Sequence, residues 1–259
     1  MHRGLLALAP LLLTGCFNQS TWIPTIWGGD VLEEALIDDG SCTVTLDAFV
    51  VSIRQGALIT SDGTASAVLP GGQLFDLVPP GPQSMGAIDL RKGIYPETVY
   101  FLGPAVEPGP DSLVGRGKLI GLDNAASDLN PILGNASAEQ RDVMIAAEAT
   151  WLVEGAIACP TKAEMVSRAV RWAIDDVPGS LRCADPDLEL VGGSFGDSVL
   201  HVAGEAAFAA PRALFDAGAD DAITLEQLGD AGLVEPLRQQ LRDAFSTAEP
   251  CVWEEVDAL

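Results

Sequence analysis

Hydrophobic and polar residues alternate over residues 42–53, where Thr43, Val44, Thr45, Val50, Val51 and Ile53 supply the β-branched side chains of a strand with one buried face. Shorter strand-like runs follow at 57–60, 65–69 and 74–78. Each is closed by turn residues: Ser61-Asp62-Gly63, Pro70-Gly71-Gly72 and Pro79-Pro80-Gly81-Pro82. Residues 86–90 and 98–102 continue the pattern on either side of Lys92-Gly93-Ile94-Tyr95, and 114–122 read as a strand again. Residues 103–111 hold three prolines and predict an exposed loop or edge, and the polar stretch 123–137 predicts a long loop. Ser137 and Gln140 form a capping box that opens a short helix through Ala147. Four more strands are expected at 150–158, 166–174, 188–191 and 199–207. The period then changes. Residues 211–217 and 234–246 favour helix, with Leu237, Leu241 and Phe245 recurring every four residues along one face. Short punctuated strands followed by helices predict a mainly β chain, an antiparallel β-sandwich with a small C-terminal helical appendage.

The N-terminus departs from that pattern. Arg3 precedes an apolar run over residues 5–13, the charged and hydrophobic regions of a secretory signal. The run is too short for the roughly 20 residues of a membrane-spanning helix. Leu13-Thr14-Gly15-Cys16 resembles the lipobox of bacterial lipoproteins, which implies diacylglycerol on the Cys16 sulfur and a mature chain that begins there. The expected organisation is signal peptide 1–15, tether 16–41, β-sandwich 42–208 and helical appendage 209–259. The tether carries Trp22, Trp27 and an acidic segment, and it shows no sustained period.

Charge narrows the partners. The full chain of 259 residues carries a net −23, and loss of Arg3 with the signal leaves 13 basic residues against 37 acidic ones. Such a surface repels nucleic acid and anionic headgroups, so no nucleic-acid partner is expected, and membrane attachment must rest on the acyl chains. A protein or envelope partner is not specified by the sequence.

Beyond Cys16 there are four cysteines, Cys42, Cys159, Cys183 and Cys251, an even set suited to two disulfides in an oxidising compartment. Three connectivities are possible. Cys159 with Cys183, clipping one hairpin, and Cys42 with Cys251, tying the domain ends, is the preferred arrangement. Metal ligation is the competing reading, but there is no CxxC spacing, and His201 is the only histidine that remains after cleavage.

Calcium is the one candidate cofactor. Asp216 and Asp220 fit positions 1 and 5 of an EF-hand-like loop and Ile223 fits position 8, whereas Gly218, Asp221 and Gln227 depart from positions 3, 6 and 12. Thr224 to Gln227 equally read as a capping box that opens a short helix. Gly192-Gly193-Ser194-Phe195-Gly196 matches the G-x-S-x-G pattern of a nucleophile elbow, but it lies between two expected strands without βαβ alternation, which favours a turn. His201, flanked by Leu200 and Val202 on a strand, reads as a surface or hydrogen-bonded residue before it reads as a base. Gly115-Arg116-Gly117 with Gly121 is a weak phosphate-loop pattern with no helix behind it.

Three features recur in order: the run from Val166 to Trp172, Cys183 closing the next turn, and a strand at 199–208 leading into 214–228. In that order they resemble a family of uncharacterised bacterial lipoproteins, myxobacterial in type, with a β-sandwich and a degenerate EF-hand-like C-terminal segment. The resemblance implies location and fold. Its members carry a His-Gly-Asp-His-type cluster where this chain has Ala203-Gly204-Glu205-Ala206, so no metal role is carried over. The function expected is a lipid-anchored, non-catalytic envelope lipoprotein, a binding or structural module, outer-membrane sorted by analogy because Phe17 follows Cys16. The alternatives are a calcium-stabilised adhesion module and a serine hydrolase using Ser194.

Overall fold

The structure, a computed structural model, describes residues 19–34, 36–38, 40–69, 72–106, 134–184, 188–219, 221–246 and 251–255. In chain order the elements begin with β1 (Gln19–Trp27), α1 (Gly29–Glu33), β2 (Leu36–Asp38), β3 (Thr43–Ile59), β4 (Ala65–Leu69), β5 (Gln73–Asp76), β6 (Gln83–Ser84), β7 (Ile88–Arg91), β8 (Gly93–Ile94) and β9 (Glu97–Leu102). Then come α2 (Ala138–Ala146), β10 (Trp151–Pro160), β11 (Met165–Ile174), β12 (Gly179–Ala184), β13 (Glu189–Leu190), β14 (Phe195–Val202) and α3 (Gly204–Ala207). The chain finishes with α4 (Pro211–Ala217), β15 (Ala222–Ile223), α5 (Leu225–Asp230), α6 (Val234–Asp243), β16 (Phe245–Ser246) and β17 (Cys251–Glu255). The protein is mainly β, with sheets packed together and helices gathered toward the C-terminus.

The spine is β3. The two runs expected at 42–53 and 57–60 are one strand, because a register shift between Ile53 and Gln55 carries the chain onward instead of turning it. A bulge absorbs the extra residue without breaking the ladder. The first half of β3 pairs with β10 and the second half with β9, in the sheet order β15-β11-β10-β3-β9-β12-β17. Val44, Leu46, Phe49, Val51 and Ile53 of β3 enter the main core, while Ala48 and Val50 face a second, smaller core that contains Met144 of α2. Both faces of this strand are buried over residues 48–53, where its sequence is most apolar, whereas Thr45 and Asp47 leave one face exposed at its start.

The opposing sheet runs β16-β14-β1-β6, with β7 also on β1. Trp22 and Ile26 of β1 and Leu200 and Val202 of β14 meet Phe49, Val51, Trp151 and Val153 in one core. Ser198 links the two sheets: the Trp22 indole donates to its Oγ at 2.9 Å, and Tyr100 Oη lies 3.3 Å from the same atom.

Two expectations are corrected here. The tether expected at 16–41 is, over its described part, a central strand followed by a short helix and a third element. Its alternation was hidden because Ser20, Trp22, Pro24 and Ile26 share the buried face and include a proline. Pro24 is tolerated because it falls in the gap between the β7 partners of Gln19 to Trp22 and the β6 partners of Thr25 and Ile26. The β1–β14 pairing is parallel, so this sheet is mixed and not wholly antiparallel. The helices expected in 209–259 are present as α4, α5 and α6: Leu214, Phe215, Leu228, Leu237 and Leu241 pack them on the main core, and β16 and β17 add strands to the two sheets. The strand and loop expected at 114–122 and 123–137, except for residues 134–137, lie outside the described residues.

Both local helix predictions from capping boxes are met. Ser137 Oγ accepts the Gln140 amide at 3.2 Å while Gln140 Oε1 accepts the Ser137 amide, and Thr224 with Gln227 repeats the arrangement at α5. The first helix is fastened by Asp76. Its Oδ1 accepts the amides of Phe49 and Val78, and its Oδ2 accepts Gln140 Nε2 at 2.8 Å.

Candidate functional site

All four cysteines of the described chain are in disulfides, paired Cys42–Cys159 and Cys183–Cys251. The preferred pairing of Cys159 with Cys183 is thus overturned. Thr43 stands opposite Ala158 in the β3–β10 ladder, which brings the adjacent Cys42 to Cys159, and Cys183 stands directly opposite Cys251 between β12 and β17. Cys183 lies within a strand and closes no turn. With the sulfurs joined in pairs, none is a thiolate ligand. Cys16, Gly115, Arg116, Gly117 and Gly121 lie outside the described residues.

The calcium-loop-like segment is engaged with its own protein. Asp216 binds Arg212 one turn earlier, Oδ2 to Nε at 3.0 Å, and this hydrogen bond raises the Arg212 pKa above its ordinary value. Arg168 donates to the carbonyls of Phe215 and Gly218 and lies 4.2 Å above the Phe215 ring, a guanidinium at the end of α4. The Asp221 carbonyl accepts the Ala169 amide, and Ile223 joins β11 through β15. Gln227 is held in its capping box. Asp220 lies outside the described residues. Among the described residues, no three His, Cys, Asp or Glu side chains are grouped to hold a metal.

Ser194 belongs to a glycine turn. Its amide donates to the Val191 carbonyl at 2.8 Å, and its Oγ accepts the Val191 amide at 3.0 Å, with Gly193 at φ +80. His201 packs near Trp27, their ring centroids 5.1 Å apart. The six residue steps from Phe195 to His201 span about 20 Å, far beyond the hydrogen-bond reach that a nucleophile and its base require. The structure does not bring Ser194 and His201 together.

A concave site among the described residues lies elsewhere, at positions no motif marks. A cleft of about 480 Å³ opens between α6, the turn after β11 and the end of β17. Asp175, Asp176, Glu235 and Glu255 supply four carboxylates, and Arg238 and Arg242 two guanidiniums. At its floor Arg242 grips Asp176 with two bonds, Nη2 to Oδ1 and Nε to Oδ2, the latter 3.0 Å long. The Asp176 side chain is wholly buried and that of Arg242 is 7% exposed. Asp176 Oδ1 also accepts the Val177 amide at 2.8 Å. Arg242 lies 5.2 Å from the Trp253 ring centroid, and hydrogen bonding to Asp176 raises its pKa against the opposing effect of burial. Arg238 binds both the carbonyl and the carboxylate of Asp175, at 2.7 and 2.6 Å.

Each guanidinium is thus satisfied from within the chain. The cleft does the work of a clamp, fastening α6 to both sheet strands beside it. Its one sequence signal was Arg238 and Arg242 at helical spacing, and their partners at 175 and 176 are more than sixty positions away.

No family model matches the chain, and no curated protein matches it. It is similar to the solved structure of MbnP from Methylosinus trichosporium, at 10% identity over 79% of each chain and a TM-score of 0.32. At that distance the likeness carries no functional information.

Proposed function

We propose that this is a lipid-anchored lipoprotein of the bacterial cell envelope, a non-catalytic β-sandwich that serves as a binding or structural module at the outer membrane. The observation that carries the reading is the brevity of the link. Only Phe17 and Asn18 separate the lipobox cysteine, Cys16, from Gln19, the first residue of β1. A signal of this kind followed at once by a buried strand suits a domain fixed to a surface. The two disulfides belong to an oxidising compartment, periplasmic or extracellular. Among the described residues no helix is long and apolar enough to cross a membrane.

Two or three acyl chains hold a protein firmly where one does not, so the anchor needs no help from a surface that is strongly acidic overall. The test is the mass of the mature N-terminal peptide after expression in a bacterium, together with partition into detergent. Expected is a diacylglyceryl-modified Cys16 with residues 1–15 removed, and loss of both with Cys16→Ser. An unmodified Cys16, or cleavage elsewhere, would overturn the reading.

A further inference from the structure

The end of the molecule where β1 begins has an unusual surface. Among the described residues six large hydrophobic side chains are exposed, and three of them, Ile94 (59%), Val191 (60%) and Phe195 (76%), lie at this one end. Pairing fixes their neighbourhood. Phe195 stands opposite Thr21, the third residue of β1. Val191 accepts the Ser20 hydroxyl through its carbonyl at 2.6 Å, and Thr21 donates its amide to the Ser194 carbonyl. Arg91 stands opposite Gln19. Exposed Lys92 follows it, and Ile94 stands opposite the exposed Glu189 in the β8–β13 pair. Two of the thirteen cations left in the mature chain therefore lie at this end, alongside Glu189 and the Asp89 carboxylate that accepts the Thr21 hydroxyl.

We infer that this end of the sandwich is a membrane-docking face, with Phe195, Val191 and Ile94 inserted at the headgroup level of the bilayer that holds the lipid anchor, and Arg91 and Lys92 turned to lipid phosphates. This rests on the proposed acylation of Cys16. The occupant follows from the link. Three residues from Cys16 to Gln19, fully extended, reach about 11 Å. The headgroup region of one leaflet is about 5–8 Å thick. The start of β1 can stand no more than about 3–6 Å beyond the headgroups, so the surface around it is the one held against the lipid. An exposed aromatic with aliphatic neighbours is the chemistry such an interface accepts, and the same cluster in water would leave an apolar patch uncovered. The far end of β1, where Trp27 pairs with His201, is held away from the bilayer.

The acylated full chain is reconstituted into vesicles of phosphatidylethanolamine and phosphatidylglycerol that carry brominated acyl chains. Tryptophan quenching is then compared for Phe195→Trp and for Pro82→Trp, an exposed turn position beside the other end of β1. Peptide mass and vesicle flotation verify the anchor separately. Expected is severalfold stronger quenching at 195 than at 82, with both variants melting as the parent does. An acylated, floating protein in which both positions are quenched equally, or 82 more, overturns the docking face and leaves the anchor standing. Failure to acylate and float overturns both.

Discussion

Replacing Arg242 by methionine should be among the most destabilising single changes available in this protein. The substitution keeps the aliphatic stem and removes the guanidinium from a carboxylate with no solvent exposure. Asp176 would keep only the Val177 amide at 2.8 Å and a long contact of 3.5 Å from the Trp151 indole. A buried charge stripped of its partner costs about 3–5 kcal/mol. In a chain of this length each kcal/mol moves the melting temperature by about 2–4 °C, so the expected fall is about 6–20 °C. Thermal unfolding followed by near-ultraviolet circular dichroism measures it. The double variant Asp176→Leu with Arg242→Met separates the pair from the site, since well-packed apolar replacements of a buried ion pair are often neutral. It should recover most of the loss, short by about 1–2 kcal/mol for the amide and indole left without an acceptor. The Arg242 pKa is raised, so its contribution is full at and below neutral pH and fades only as pH climbs through the strongly alkaline range. If Arg242→Met lay within about 1 kcal/mol of the parent, the clamp would be no more than an exposed ion pair and the reasoning would be wrong.

Four other outcomes are expected. Cys42→Ser with Cys159→Ser, which opens a loop of 117 residues, should lower unfolding free energy by about 2–5 kcal/mol in denaturant titration, whereas an unchanged midpoint would mean the bond contributes nothing. Gly155→Ala should destabilise by about 1–3 kcal/mol, because φ is +151 there and an added Cβ would meet the Thr45 carbonyl at 2.0 Å; a neutral result would show that the register shift between Glu154 and Gly155 in the β3–β10 ladder yields freely. Asp76→Ala strands the Phe49 amide in a buried strand and frees Gln140, which should cost about 1–3 kcal/mol and speed hydrogen exchange in α2 before it does so elsewhere. Millimolar calcium against chelator should leave the melting temperature unchanged, because Asp216 and Gln227 are already bonded within the chain; a rise abolished by Asp216→Ala would restore the loop as an ion site.

What could be read from the sequence was local. The capping boxes at Ser137 and Thr224 declare themselves within four residues, and the four-residue spacing of Leu237 and Leu241 marks the buried face of α6. The run at β11 alternates strongly enough to stand alone. What escaped was decided at long range. The disulfide pairing depends on which strands lie side by side, and no spacing in the chain encodes that. β17 was missed because two of its five residues are acidic and its only buried ladder is supplied by β12. The cleft escaped for the same reason, as its floor joins positions that only the turn after β11 brings under α6.

The parallel pairing of β1 with β14 carries a consequence for the order of events in folding. Ser20 and Val191 meet across 171 residues of chain, and Trp22 and Ser198 across 176. β1 has no ladder to join on its β14 side until most of the polypeptide has followed it. Closing so long a span early is entropically unfavourable, and contacts of this kind form slowly. Trp22 and Ile26 therefore stay open to solvent on that side until the later strands arrive. Any factor that escorts the chain before folding is complete would meet that segment first.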